Sequence, residues 1–166
     1  MSSTRPHLAA FSRLALNTGC RKGELLNLEW SRIDLDRRLI LLQAKDNKSK
    51  RRRTVPLNDE AVEVLKELSD WQSINAPGTW WVFGREGGRK ITTFKTGWTG
   101  ALKRAGIDNF RIHDLCHTFA SWLVMQGESL YVVKELLGHS STMVTERYAH
   151  LAPEQTASAV QRLLRF

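Results

Sequence analysis

Apolar residues recur at helical spacing along most of this chain, interrupted by a few short strand-like runs. In HLAAFSRLAL (7–16), Leu8, Phe11, Leu14 and Ala15 form one helical stripe, which Thr18-Gly19 breaks. A second short helix fits Arg21–Leu28, with Leu25 and Leu28 on its inner face. The apolar run LILLQA (39–44) suits a strand and RTVPL (53–57) its partner, so KDNKSKRR between them predicts a β-hairpin tip. Asn58 is a good N-cap for a helix over Asp59–Trp71, whose stripe is Ala61, Val64, Leu65 and Leu68. Trp80–Phe83 fits a third short strand, and Gly84–Lys90 a basic, Gly-rich loop.

Helical patterns then dominate. One covers Thr93–Ala105 and ends at Gly106; another covers 113–126, with Leu115, Phe119, Trp122 and Leu123 as its packing face. Ser129–Leu137 is closed by Gly138, Thr142–Ala149 follows a short HSS turn, and Pro153 suits the first turn of a last helix. The predicted fold class is mainly α with a small antiparallel three-stranded β-sheet.

A length of 166 residues fits a single domain, 1–166. No run of about 18 apolar residues exists, which argues against a membrane helix. The N-terminus lacks the apolar core of a signal peptide, so a cytoplasmic location is expected. Cys20 and Cys116 make no disulfide framework and have no zinc-site spacing; both are expected to be reduced thiols, with no metal bound.

The net charge of +8 suits a polyanionic partner, most often nucleic acid, or is only a solubility surplus. Its placement is more informative. Lys45–Arg53 holds six cations in nine residues: Lys45, Lys48, Lys50, Arg51, Arg52 and Arg53. Such a cluster is self-repelling, and a phosphate backbone would relieve it. The bland alternative is a solvated loop.

Three further stretches hold candidate chemistry. In TGCRKGELLNLEW (18–30), Arg21 opens a helix, where it can pair with a phosphate or simply with Glu24 or Glu29. In LLGHSSTMVTERYAHL (136–151), His139 follows a helix-ending glycine. Tyr148 there either packs its ring or belongs to a helix-turn-helix reader. In HDLCHTF (113–119), His113 and Cys116 share one helix face at i and i+3. His117 either supports the site residues from behind or, the better reading, is a core histidine making one hydrogen bond.

These stretches, with the hairpin ending RRRTVPL and with HDLCHTFASWLVMQG, occur in the order of the signatures of the tyrosine recombinase (phage integrase) catalytic domain, which the chain resembles over about residues 10–152. The resemblance implies site-specific breakage and rejoining of double-stranded DNA, without a cofactor, through a 3′-phosphotyrosine intermediate. It assigns Arg21 to the first active-site arginine, Lys45 to the catalytic lysine (with Lys48 as the second candidate), His113 and His139 to the two histidines and Tyr148 to the nucleophile. Lys48, Lys50, Arg51, Arg52, Arg53 and Arg111 are expected DNA contacts.

Cys116 departs from the pattern, standing where the family has a second arginine. A thiol cannot form the two charged hydrogen bonds of a guanidinium, so cleavage is expected to be impaired. An engineered change, natural decay or compensation by another cation such as Arg111 would each account for it. The resemblance also implies a tetramer on DNA, docked through the C-terminal helix (153–165). Because family members carry additional N-terminal DNA-binding domains, the chain reads as a fragment that binds DNA weakly and is monomeric alone. The alternative reading is a non-catalytic DNA-binding module built on the helix-turn-helix.

Overall fold

The computed structural model describes residues 6–43, 52–139, 141 and 143–152. The chain divides into two compact units, Met1–Phe119 and Ala120–Phe166. Among the described residues the fold is mostly helical with one three-stranded antiparallel sheet.

In the first unit, α1 (His7–Thr18) buries Ala10, Phe11, Leu14 and Ala15, and Gly19 ends it at φ 63°, a left-handed turn that glycine adopts without strain. The helix packs on α3 (Asp59–Asn75), which buries Ala61, Val64, Leu65 and Leu68. The Asn58 side chain accepts from the Ala61 amide at 2.9 Å, as expected of the cap. α3 runs four residues beyond the predicted end. Its last turns carry no apolar stripe, yet buried Gln72 bonds both the Trp30 indole (2.8 Å) and the Val82 carbonyl (2.7 Å). Phe11, Phe83 and Phe94 form an aromatic triangle at the centre of the core, with centroids 5.0–6.0 Å apart.

Between these helices lie α2 (Lys22–Leu26) and strands β1 (Ile33–Asp34), β2 (Leu39–Leu42) and β3 (Arg53–Pro56). β2 pairs antiparallel with both neighbours, with Ile40 opposite Val55 and Leu42 opposite Arg53. The two strands of the predicted hairpin therefore hold. The third strand does not: it is Ile33–Asp34 rather than Trp80–Phe83. The latter segment makes only one isolated bridge, Glu29 to Trp81, with flanking bonds to Trp30 and Leu28. Its apolar run reflects burial of Val82 and Phe83, which periodicity cannot distinguish from a strand.

α4 (Lys95–Ala105) starts two residues later than predicted, because the Thr93 hydroxyl accepts from the Lys95 amide, and ends at Gly106 in the left-handed region. α5 (Asp114–Met125) runs from the first unit into the second. Its buried stripe is Leu115, Cys116, Ala120 and Val124; Leu115 is as predicted, but Phe119, Trp122 and Leu123 are not fully buried, and Trp122 is 49% exposed. The small residues Cys116 and Ala120 define the buried face, and a count of large apolar residues passes over them.

In the second unit, α6 (Leu130–Leu137) is capped by the Ser129 hydroxyl and closed by Gly138 at φ 62°. α7 (Met143–Glu146) is much shorter than the predicted 142–149, and Tyr148 lies in the turn after it, its amide bonded to the Thr145 carbonyl. The predicted last helix (153–165) and the hairpin residues Lys45, Lys48, Lys50 and Arg51 lie outside the described residues. No helix among those described is long and apolar enough to cross a membrane.

Candidate active site

The first unit gathers Arg21, Arg53 and Cys116 around one glutamate. The turn that ends α1 delivers Gly19 and Cys20, and Arg21 caps α2. Glu24, three residues on, folds back in a capping box: its Oε2 accepts from the Arg21 amide at 2.7 Å and its Oε1 from Arg21 Nη1 at 3.3 Å. The α2 N-terminus is thus occupied by a side chain of its own. Of the two partners open to Arg21, the structure uses Glu24; Glu29 pairs with Arg32 at 2.7 Å.

Glu24 is only 1% exposed and holds a second guanidinium, Arg53 Nη2, at 2.8 Å. Strand alternation explains this. Arg53 lies two residues before buried Val55, on the same face of β3, so its side chain points inward. Grouping Arg53 with the solvent-facing hairpin cations missed that placement, although the period of two from Val55 carries the signal. Arg52, one residue earlier, is exposed.

Cys116 is buried, and its Sγ donates to the Gly19 carbonyl at 3.1 Å. Burial pushes its thiol up from 9.0 to about 11; Arg21 and Arg53 pull it down, and Glu24 pushes it up. Cys20 is fully buried and, chiefly for that reason, raised to about 12. Burial thus favours the protonated form of both thiols at neutral pH, which argues against a nucleophile role. Unfolded thiols titrate near 9.0, so stability is undiminished below that pH and falls as the pH rises towards about 11. Iodoacetamide at about pH 8 is expected to spare both cysteines in the folded chain and modify both in denaturant, as read by intact mass.

His113 precedes α5, and its exposed ring meets the edge of His117 at 4.8 Å. His117 is half-buried against His113 rather than a core residue. Arg111 bonds Asp114 through Nη2 (3.0 Å) and Nε (3.3 Å), and those bonds hold the carboxyl of Asp114 below its ordinary range. Arg111 is exposed and fixed to the first turn of α5, so compensation at Cys116 finds no support there.

In the second unit, the turn after Gly138 sets His139, whose Nδ1 lies 3.0 Å from the Oγ1 of buried Thr145. The Tyr148 side chain is buried as well. Among the described residues no group of His, Cys, Asp and Glu is arranged to hold a metal ion. Elsewhere in the first unit, Arg85, Arg89 and Lys95 line a cavity of about 1020 Å³ together with Trp71 and Phe94.

Comparison with known proteins places these features in a wider set. The model of the phage integrase family matches residues 2–155. The integrase of Salmonella phage P22 is 36% identical over 168 residues, covering 94% of this chain and 42% of that protein. The solved catalytic domain of bacteriophage HP1 integrase is 31% identical with a TM-score of 0.70, covering 97% of this chain and 84% of that one. XerH site-specific recombinase bound to difH substrate, in a pre-cleavage complex, superposes with a TM-score of 0.76 at 23% identity, over 100% of this chain and 49% of that one. The chain spans about half the length of the curated relatives it matches.

Proposed function

Because the chain belongs to the phage integrase family and has the fold of tyrosine recombinase catalytic domains, we propose that it breaks and rejoins DNA strands through a 3′-phosphotyrosine intermediate. The observation that carries this reading is the buried capping box, which fixes Arg21 on Glu24 beside Cys116. A guanidinium held in this way is ready to receive a phosphate without reorganising.

The Tyr148 oxygen forms a bond to a backbone phosphorus as the bond to the 5′ oxygen breaks. An ordinary tyrosine has a pKa of about 10, so its proton must leave during attack, and His113 accepts it. Lys45 donates a proton to the departing 5′ oxygen, a role worth on the order of 10²–10⁴-fold. Arg21 and His139 bond the non-bridging oxygens, where negative charge grows. A 5′-hydroxyl from a partner strand reverses the steps and rejoins the DNA. Cys116 contributes no cation, so the rate is low.

In this account Lys48, Lys50, Arg51, Arg52 and Arg111 contact the DNA backbone, and copies of the chain assemble on DNA through residues 153–165, in the cytoplasm. The helix-turn-helix alternative is disfavoured by α7, whose four residues make about one turn of helix. A nicked suicide duplex is expected to give an SDS-resistant protein–DNA adduct and a free 5′-hydroxyl, slowly with the native chain and faster with Cys116→Arg. Tyr148→Phe is expected to abolish both products; adduct that persists in that variant overturns the reading.

A further inference from the structure

We propose that Arg53 supplies the second guanidinium of the phosphate site, partly replacing the arginine that position 116 lacks. This rests on the recombinase reading above. Position within the basic hairpin does not predict it, because a hairpin cation ordinarily faces solvent. Arg53 instead shares the inward face of β3 with Val55, is 10% exposed, and bonds the same carboxylate as Arg21.

The shared carboxylate sets the geometry. Both guanidinium groups bond Glu24, one at each oxygen, so a phosphate reaching Arg21 lies within range of Arg53 too. Cys116 reports the same neighbourhood, since both guanidiniums pull its thiol pKa downward. An arginine has five N–H donors in a fork, so the Nη2 bond to Glu24 is compatible with a bidentate phosphate contact. The other arginines considered fit poorly: Arg111 is exposed and bonded to Asp114, Arg32 is bonded to Glu29, and Arg52 is exposed. The neutral, compact thiol at 116 also leaves Arg53 without the repulsion that a third guanidinium would bring.

The test is the single-turnover rate of adduct formation on the suicide duplex, with Arg53→Gln made in the native chain and in Cys116→Arg. Arg53→Gln is expected to slow the native chain by at least about 100-fold, and the Cys116→Arg chain by less than about tenfold, because the restored arginine takes over. Equal losses in the two backgrounds overturn the proposal, since a purely structural role would cost both alike. Melting temperatures accompany the rates. If Arg53→Gln melts several degrees lower, the comparison is made with Arg53→Lys, which keeps the charge opposite Glu24 but loses the fork. The same dependence on background supports the proposal, and its absence overturns it. Failure of both the native and the Cys116→Arg chains to form any adduct overturns the recombinase reading itself, and this inference with it.

Discussion

Cys116→Arg is expected to raise the rate of DNA adduct formation at least about tenfold. A transition-state arginine in related phosphoryl transfer is worth roughly 10³–10⁵ in rate, because a planar fork bonds two oxygens as their charge grows. The gain here is smaller than that range, since Arg53 already supplies part of the charge. The substitution also has a structural cost. Position 116 is buried on α5, and its Sγ bond to the Gly19 carbonyl is lost. Fitting a longer side chain there costs about 1–3 kcal/mol, so a more active but less stable chain is expected. Single-turnover cleavage and urea unfolding check the two halves. A rate gain below tenfold contradicts the assignment of position 116 to the phosphate site.

Glu24→Gln is expected to destabilise the first unit by about 3 kcal/mol and to slow cleavage sharply. The glutamate is almost fully buried and holds Arg21 and Arg53 together. Glutamine keeps the shape but removes the charge, leaving two largely buried guanidiniums without their carboxylate. It also loses part of the acceptor capacity that caps α2 through the Arg21 amide. Urea denaturation measures the stability change. A loss below about 1 kcal/mol would mean that solvent, rather than Glu24, balances these cations.

Helix positions were readable in the sequence because their signals are local. Asn58, Gly19, Gly106 and Gly138 all act within a turn of the backbone, and each stands where the sequence predicts. Long-range pairing was less readable. Trp80–Phe83 has the residue types of a strand, but the partner that completes the sheet is the two-residue Ile33–Asp34, too short to leave a pattern. Burial on α5 followed small residues, which is why Trp122 faces solvent instead of the core.

The candidate site shows the same division. The boxes containing Arg21, His113, His139 and Tyr148 are assigned by their resemblance to the family's signatures, whose order the sequence displays. Glu24 entered only as a bland ion-pair partner for Arg21, and its grip on Arg53 spans 29 positions. That contact depends on β3 register, which no local window contains. His117 illustrates the converse: its spacing from His113 is visible, but the ring contact depends on side-chain direction along α5.

The most direct test of the account is to locate the covalent bond. The chain has two tyrosines, and trypsin separates them: Tyr131 falls in peptide 112–134 with Cys116 in the native chain and in peptide 117–134 in Cys116→Arg, and Tyr148 opens peptide 148–162 in both. After reaction of the Cys116→Arg and native chains with a suicide duplex and nuclease trimming, mass spectrometry is expected to find the nucleotide on the Tyr148 peptide. A nucleotide on Tyr131, which is 63% exposed, or on Cys116 would contradict the account.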